Sequence, residues 1–162
     1  MMKETKNKTN VMRQLDKAKI PYEPMLYEVD EDNLAGTHIA EEIGLPCEIV
    51  FKTLVARGDR NGISVFCIPS GAELNLKEAA HLTGDKKLEL VPVKELLNLT
   101  GYIRGACSPI GMKKHFPTYI DDSCLKHEKI TISAGIRGIQ LLLSPDALLV
   151  FLGAATAHLT MD

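Results

Sequence analysis

The sequence predicts a mixed α+β fold, because helical segments and β-hairpins follow one another along the chain. The 162 residues lie near the usual size of one domain, and no internal repeat, low-complexity run or proline-rich linker divides them. Hydrophobic residues make up 45% and charged residues 25%, which is typical of a globular chain. We therefore expect one domain over residues 1–162.

The N-terminal part is predicted to hold two helices separated by a strand. Thr9 is a suitable N-cap for the first helix, which Pro21 ends. The apolar face of that helix comprises Val11, Met12, Leu15 and Ala18. A strand is expected over Tyr22 to Val29, and Thr37 opens a short helix that stops at Gly44.

A β-hairpin follows, in which Ile49 to Arg57 and Ile63 to Pro69 flank a polar turn over residues 58–62. Lys52 interrupts the apolar row on one face of the first strand, which comprises Val50, Leu54 and Ala56. Its ammonium group can extend along the sheet to reach water, or it can be a partly desolvated cation facing a pocket. A cation of the second kind suits a phosphate or a substrate carbonyl. The pattern alone leaves both open.

The second half is predicted to contain three helices and three strands. Asn75 caps a helix that ends at Gly84, with Glu78 completing a capping box, and Pro92 starts another helix that ends near Gly101. Ser144, Pro145 and Asp146 cap the last helix. The three strands are Thr118 to Asp121, Ile130 to Ala134 and Ile139 to Leu143.

A glycine-rich segment from Gly101 to Gly111 is too irregular for a helix or strand and too apolar for a solvent loop, which indicates a pocket wall. Its small residues let the backbone approach a ligand, and inward N–H groups can stabilise an oxyanion. Without a second motif, a structural turn under a sheet is the simpler interpretation. Lys113 and Lys114 follow directly, as a solvated face or as contacts for RNA phosphates.

Other residue patterns argue against metal, nucleotide and redox chemistry, so no metal and no cofactor is expected. The five histidines lack metal-ligand spacing, and the chain lacks Walker, dinucleotide and G-x-S-x-G motifs. The four cysteines form no C-x-x-C pair, and we expect three of them to be buried small apolar residues. Cys107 has no histidine at a recognisable spacing, which disfavours it as a nucleophile.

The charge balance and the N-terminus bear on partners and location. A net charge of −2 and a pI near 6.2 indicate that any grip on RNA is local or shared with a partner, and DNA is not expected. The longest apolar stretches are too short to cross a membrane. Residues 1–10 are polar and lysine-rich, unlike a secretory signal, which predicts a cytoplasmic protein.

Three segments together resemble the YbaK/EbsC family, within the prolyl-tRNA synthetase editing-domain superfamily. They are Phe51-Lys52-Thr53-Leu54, the run from Thr100 to Gly111 with Lys113 and Lys114, and Ile132 to Gly138. They occur in the family's order and spacing, and the similarity extends to the N-terminal helix and Tyr27.

The resemblance implies a mixed, partly barrel-like sheet flanked by helices, and an enzyme that deacylates cysteinyl-tRNA. The implied substrate is chiefly tRNA(Pro) carrying cysteine, with tRNA(Cys) as a second possibility, and the implied partner is prolyl-tRNA synthetase. By position, Lys52 would be the essential pocket lysine and Gly105 the backbone element beside the scissile ester. The implied substrate-binding residues are Tyr27, Thr53, Ala106, Ser108, Pro109, Ser133 and Gln140.

Two positions differ from the family pattern and bear on amino-acid preference. Ala106 stands where relatives often have a second glycine, and Gln140 stands where some have an acidic residue. The resemblance also implies that the substrate's own thiol attacks the ester carbonyl and leaves as a cyclic thioester. The alternatives are water-driven editing of alanyl-tRNA(Pro), a non-catalytic module that binds tRNA or a synthetase, and a small-metabolite sensor.

Overall fold

The computed structural model describes residues 8–161, which form five α-helices and two β-sheets. The helices are α1 (Asn10–Lys17), α2 (Gly36–Ile43), α3 (Leu76–Thr83), α4 (Val93–Thr100) and α5 (Pro145–Leu152). The strands are β1 (Tyr22–Leu26), β2 (Phe51–Gly58), β3 (Gly62–Pro69), β4 (Leu88–Leu90), β5 (Thr118–Asp121), β6 (Ile130–Ser133), β7 (Ile139–Leu143) and β8 (Ala155–Ala157). The prediction that residues 1–10 are unlike a secretory signal concerns residues that lie largely outside this range.

The two sheets give the mixed α+β architecture that the sequence predicts. The smaller sheet has the order β1-β7-β6 and is antiparallel. The larger has the order β4-β2-β3-β5-β8, in which β5 is parallel to both its neighbours. An isolated bridge from Val50 to Thr131 joins the start of β2 to β6, and the described strands do not close into a barrel.

The predicted helix starts rest on side-chain caps that are present. The Thr9 hydroxyl accepts from the Met12 N–H at 3.2 Å, and the Asn75 side chain accepts from the Glu78 N–H at 3.1 Å. Ser144 caps α5 through the Ala147 N–H at 3.3 Å. The start of α2 was predicted wrongly at Thr37, because the helix begins at Gly36 and its N-cap, Ala35, has no capping side chain.

The predicted β2–β3 hairpin is confirmed, with register pairs from Phe51 with Pro69 to Gly58 with Gly62. Its tip is fastened by the Asp85 carboxylate, which accepts from the N–H groups of Arg60 at 2.9 Å and Asn61 at 2.7 Å. A Cβ at Gly58 would lie 2.1 Å from that carboxylate. Glycine is therefore required here by close packing.

Several boundaries differ from the prediction for tertiary reasons. Strand β1 ends at Leu26 and not at Val29, because its partner β7 begins opposite it at Ile139. Strand β2 begins after a 3-10 turn over Cys47–Ile49. Strands β4 and β8 were not predicted, since each has three residues and forms only against a distant strand.

The core largely matches the predicted pattern, with two corrections. Val11, Met12 and Leu15 of α1 are buried, whereas Ala18 lies past the end of the helix and is exposed. Only Cys67 and Cys124 are buried, while Cys47 and Cys107 are half-buried, so the expectation of three buried cysteines is wrong by one. Within residues 8–161, no helix has both the length and the apolar character needed to cross a bilayer.

Candidate functional site

A cavity of about 560 Å³ opens between the two sheets and the glycine-rich segment. Five of the residues singled out from the sequence line it, namely Lys52, Thr53, Gly105, Ser133 and Gln140. The rest of the lining is mainly apolar and comes from the loop before α2, from β2 and from the start of α4. This volume falls in the range of pockets that hold small ligands.

Lys52 reaches this cavity from the second position of β2. Its register partner on β3 is the fully buried Ile68, so the lysine stem lies on an apolar part of the sheet. Burial lowers the pKa of the Lys52 ammonium from its usual value, and the carboxylate of Glu73 acts in the opposite direction. Of the two alternatives left by the pattern, the structure favours the partly desolvated cation.

The glycine-rich segment keeps its shape through hydrogen bonds of its own. The Tyr102 hydroxyl donates to the Ile110 carbonyl, which closes the segment on itself. The Thr100 hydroxyl accepts from the Tyr102 N–H at 3.0 Å, and the Thr100 carbonyl accepts from the Lys113 N–H at 3.1 Å. The segment is therefore an ordered wall, as expected from its composition.

Gly105 lies at the third position of a turn that the Ala106 N–H closes on the Ile103 carbonyl at 3.0 Å. Its φ of +87° is the conformation that a type II turn requires at that position and that glycine tolerates best. A Cβ there would lie 3.2 Å from the Arg137 Nε atom and 3.4 Å from a methyl group of Leu34. The wall beside the cavity is thus free of a side chain at this point.

Ser133 is buried at the end of β6 and has both of its hydrogen-bonding functions in use. Its hydroxyl donates to the Ala106 carbonyl at 2.9 Å and accepts from the Gly135 N–H at 3.1 Å. It therefore ties the glycine-rich segment to the β6–β7 hairpin. A ligand can therefore bind this hydroxyl only as a third hydrogen-bond partner.

Gln140 and Thr53 also face the cavity with partners already in place. The Gln140 side-chain oxygen accepts from the Thr131 hydroxyl at 3.0 Å, and Gln140 is buried. The Thr53 hydroxyl lies 3.7 Å from the Cys67 sulfur. Because residue 140 is a neutral amide, the charged residues in the lining are Lys52 and Arg104.

Four other residues predicted to bind substrate do not line this cavity. Tyr27 packs against the cluster of Ile39, Ala40 and Val50, and its N–H donates to the Gly138 carbonyl at 2.9 Å. Ala106 and Ser108 are buried, and the Ser108 hydroxyl accepts from the Ile110 N–H at 3.3 Å. Pro109 lines a different depression, so direct contact by these four side chains stays a prediction.

The depression that contains Pro109 has a volume of about 390 Å³ and adjoins the far end of the glycine-rich segment. Lys114 and His115 line it together with the amide side chains of Asn10 and Gln14. Lys113 is exposed, and its stem lies 3.4 Å from where a Cβ at Gly101 would stand. Both lysines are exposed, and their contacts with RNA phosphates remain a prediction.

Cys107 lines the cavity but has the wrong ionisation for a nucleophile. Burial raises the pKa of its thiol to about 12, although Thr100 partly offsets this. The thiolate is the reactive form, so almost none of it is present at neutral pH. The raised pKa agrees with the sequence argument against this cysteine.

The fold brings together three possible metal ligands that the sequence spacing did not suggest. Atoms of Asp121, Asp122 and His158 lie within 4.8 Å of one another. Both carboxylate oxygens of Asp121 already accept backbone N–H groups, from Ser123 at 3.3 Å and from Leu159 at 2.9 Å. In the structure, Asp121 anchors the C-terminal segment through its hydrogen bond with the Leu159 N–H.

Sequence reasoning assigned no role to Arg137, which the structure places in contact with the glycine-rich segment. Its Nε atom donates to the Arg104 carbonyl at 2.9 Å, across 33 residues of chain. The available signal was a charged residue between two glycines in a tight connection of buried strands. That pattern indicates an arginine that binds a residue distant in the chain, but it does not identify that residue.

Comparison with known proteins gives a consistent family assignment. Residues 36–151 match the model of the aminoacyl-tRNA editing domain. A proposed Cys-tRNA(Pro)/Cys-tRNA(Cys) deacylase, EbsC of Enterococcus faecalis, is 43% identical over 158 residues, which covers 98% of this chain and 96% of that protein. A proline–tRNA ligase of Thermosipho africanus is 30% identical over 76 residues, or 47% of this chain and 13% of the ligase.

Among solved structures, a proposed trans-editing enzyme for prolyl-tRNA synthetase superimposes with a TM-score of 0.79. It is 22% identical in sequence, and the match covers 95% of this chain and 99% of that one. At this identity the similarity establishes the fold.

Proposed function

The chain belongs to the aminoacyl-tRNA editing domain family, and we propose that it is a free-standing deacylase that removes cysteine from mischarged tRNA(Pro). One observation carries this proposal: a half-buried lysine and the side-chain-free Gly105 of an ordered backbone turn line a single cavity. The similarity to EbsC, which extends over almost the full length of both chains, supports the same class of activity.

The chemistry required is the cleavage of an ester that is already activated. Such a site needs to hold the carbonyl, stabilise the negative charge that develops on its oxygen, and admit one nucleophile. We assign charge stabilisation to the Lys52 ammonium and the backbone N–H groups beside Gly105. The mainly apolar remainder of the lining lowers the local dielectric constant, which strengthens these interactions.

We assign the nucleophile to the substrate thiol. Among the residues that line the cavity there is no histidine, aspartate or glutamate to act as a general base. Burial raises the pKa of the Cys107 thiol to about 12, which disfavours the enzyme's own thiol as the nucleophile. In the proposed step the cysteinyl sulfur bonds to its own carbonyl carbon as the ester C–O bond breaks. The ribose oxygen takes the proton, and a cyclic thioester leaves.

The proposed partner is prolyl-tRNA synthetase. The chain is similar to part of a proline–tRNA ligase, and a net charge of −2 provides little general attraction for RNA. Selection of tRNA(Pro) is therefore assigned to the synthetase, with Lys113 and Lys114 adding local phosphate contacts. Binding of tRNA to the protein alone is expected to be weak and salt-sensitive, and to become selective when the synthetase is added.

The deciding experiment measures deacylation of four substrates: cysteinyl-, alanyl- and seryl-tRNA(Pro), and cysteinyl-tRNA(Cys). We expect fast release of cysteine and slow release of serine, which has a hydroxyl in place of the thiol. Equal rates for alanine and cysteine would indicate attack by water and refute the thiol mechanism. Binding without turnover on all four would refute the enzymatic proposal.

A further inference from the structure

Two consecutive parts of the β6–β7 hairpin anchor carbonyl groups of the glycine-rich turn. Arg137 donates through Nε to the Arg104 carbonyl at 2.9 Å, and the Ser133 hydroxyl donates to the Ala106 carbonyl at 2.9 Å. Gly105 lies between these two anchored carbonyls. Arg137 is not among the residues that line the cavity, whereas Gly105 is.

Anchoring a carbonyl also fixes the N–H group of the same peptide unit. The described chain contains no cis peptide bond, so each N–H points opposite to the carbonyl of its own peptide. Arg137 holds the Arg104–Gly105 peptide by its carbonyl, and the Gly105 N–H is therefore directed away from Arg137, which does not line the cavity. Ser133 orients the Cys107 N–H in the same manner.

These two N–H groups are available for a ligand. Neither the Gly105 N–H nor the Cys107 N–H donates to another described residue, whereas the Ala106 N–H between them closes the turn on Ile103. Both Gly105 and Cys107 line the cavity. Free backbone donors at a cavity wall are the usual means of stabilising an oxyanion.

The peptide that Arg137 holds is the one that defines the turn type. Type I and type II turns differ by a flip of the central peptide, which reverses its carbonyl and its N–H together. The φ of +87° at Gly105 identifies the type II form. An anchored Arg104 carbonyl opposes the flip that would reverse the Gly105 N–H.

We propose that Arg137 is a positioning residue that holds the Arg104–Gly105 peptide in its type II orientation, so that the Gly105 N–H faces the acyl oxygen. The inference rests on the proposed deacylase function, but its structural part is independent of it. Arg137 acts through its Nε–H donor, and its positive charge is not required for this role.

Two substitutions of equal length separate the hydrogen bond from the charge. Arg137→Gln places a neutral N–H donor at the position of the arginine Nε, and Arg137→Met has the same length without a donor. Arg13, exposed on α1, supplies the control variant Arg13→Met. The assays are kcat and KM for cysteinyl-tRNA(Pro) at several salt concentrations, the melting temperature, and the amide NMR resonances of Gly105 and Cys107.

We expect Arg137→Met to lower kcat by about 100-fold with little change in KM, since a small misplacement of a catalytic group has effects of this order. Arg137→Gln should keep most of kcat and a wild-type Gly105 resonance, which Arg137→Met should shift. Equal losses in both variants, a raised KM with weaker salt dependence, or wild-type kcat in Arg137→Met would overturn the proposal. If the wild-type protein releases no amino acid from any tRNA, the proposed function fails, and the Gly105 resonance alone decides the positioning role.

Discussion

Replacement of Lys52 by methionine separates the stability cost of burying the ammonium group from the contribution of that group to catalysis. Methionine keeps an unbranched stem on the apolar part of β2 and removes the ammonium group from the cavity. A cation about 4 Å from a developing oxyanion contributes about 4 kcal/mol at an effective dielectric constant of about 20. We therefore expect Lys52→Met to lower kcat/KM for cysteinyl-tRNA(Pro) by roughly 1,000-fold.

The same substitution should not lower stability. Burial depresses the pKa of Lys52 in the folded protein below the usual 10.5, so the folded state binds its proton less readily than the unfolded state. The resulting loss of stability is complete at pH values below the folded pKa. It is relieved as pH rises through the window up to 10.5. Lys52→Met removes this penalty, and its advantage in stability should shrink over that window.

The assay pairs deacylation kinetics with urea unfolding at neutral and alkaline pH. Lys77→Met, on the exposed surface of α3, is the matched control and should leave kinetics unchanged. Retention of wild-type kcat/KM by a folded Lys52→Met protein would refute the assigned role. A large loss of stability would show instead that the ammonium group is needed for folding.

Three further predictions concern residues around the site and the hairpin. Cys107→Ser should keep deacylase activity, because the pKa of the thiol is about 12; a folded but inactive variant would restore the enzyme nucleophile. Ser133→Ala leaves the buried Ala106 carbonyl unpaired and should lower the free energy of unfolding by about 1–3 kcal/mol, measured by urea titration. An unchanged unfolding curve would contradict that hydrogen bond. Asp85 has its pKa lowered, chiefly by the Thr83 hydroxyl, so its stabilising effect is full above its ordinary pKa of 3.8 and is lost as pH falls through the folded value. Asp85→Asn should therefore unfold at a lower denaturant concentration than wild type at neutral pH, with the difference vanishing in acid; a constant difference would exclude the carboxylate as the cause.

The catalytic proposal depends on groups that the family resemblance identified and the fold brings together. Lys52, Gly105 and Ser133 line one cavity although they lie far apart in the chain. Tyr27, which the resemblance added without a cavity contact, packs against Ile39 and Val50, and both of these line the cavity. A mutation at Tyr27 and a mutation in the lining should therefore be compared by kcat and by stability together.

Local chemistry in the sequence by itself determined the helix starts at Thr9, Asn75 and Ser144 and the hairpin around Gly58 to Gly62. In each case the deciding hydrogen bond or turn lies within a few residues of chain. The strands β4 and β8 and the Arg137 contact were decided only by the tertiary structure. A three-residue strand has too few contacts of its own to form, and a carbonyl carries no sequence signal for a donor 33 residues away.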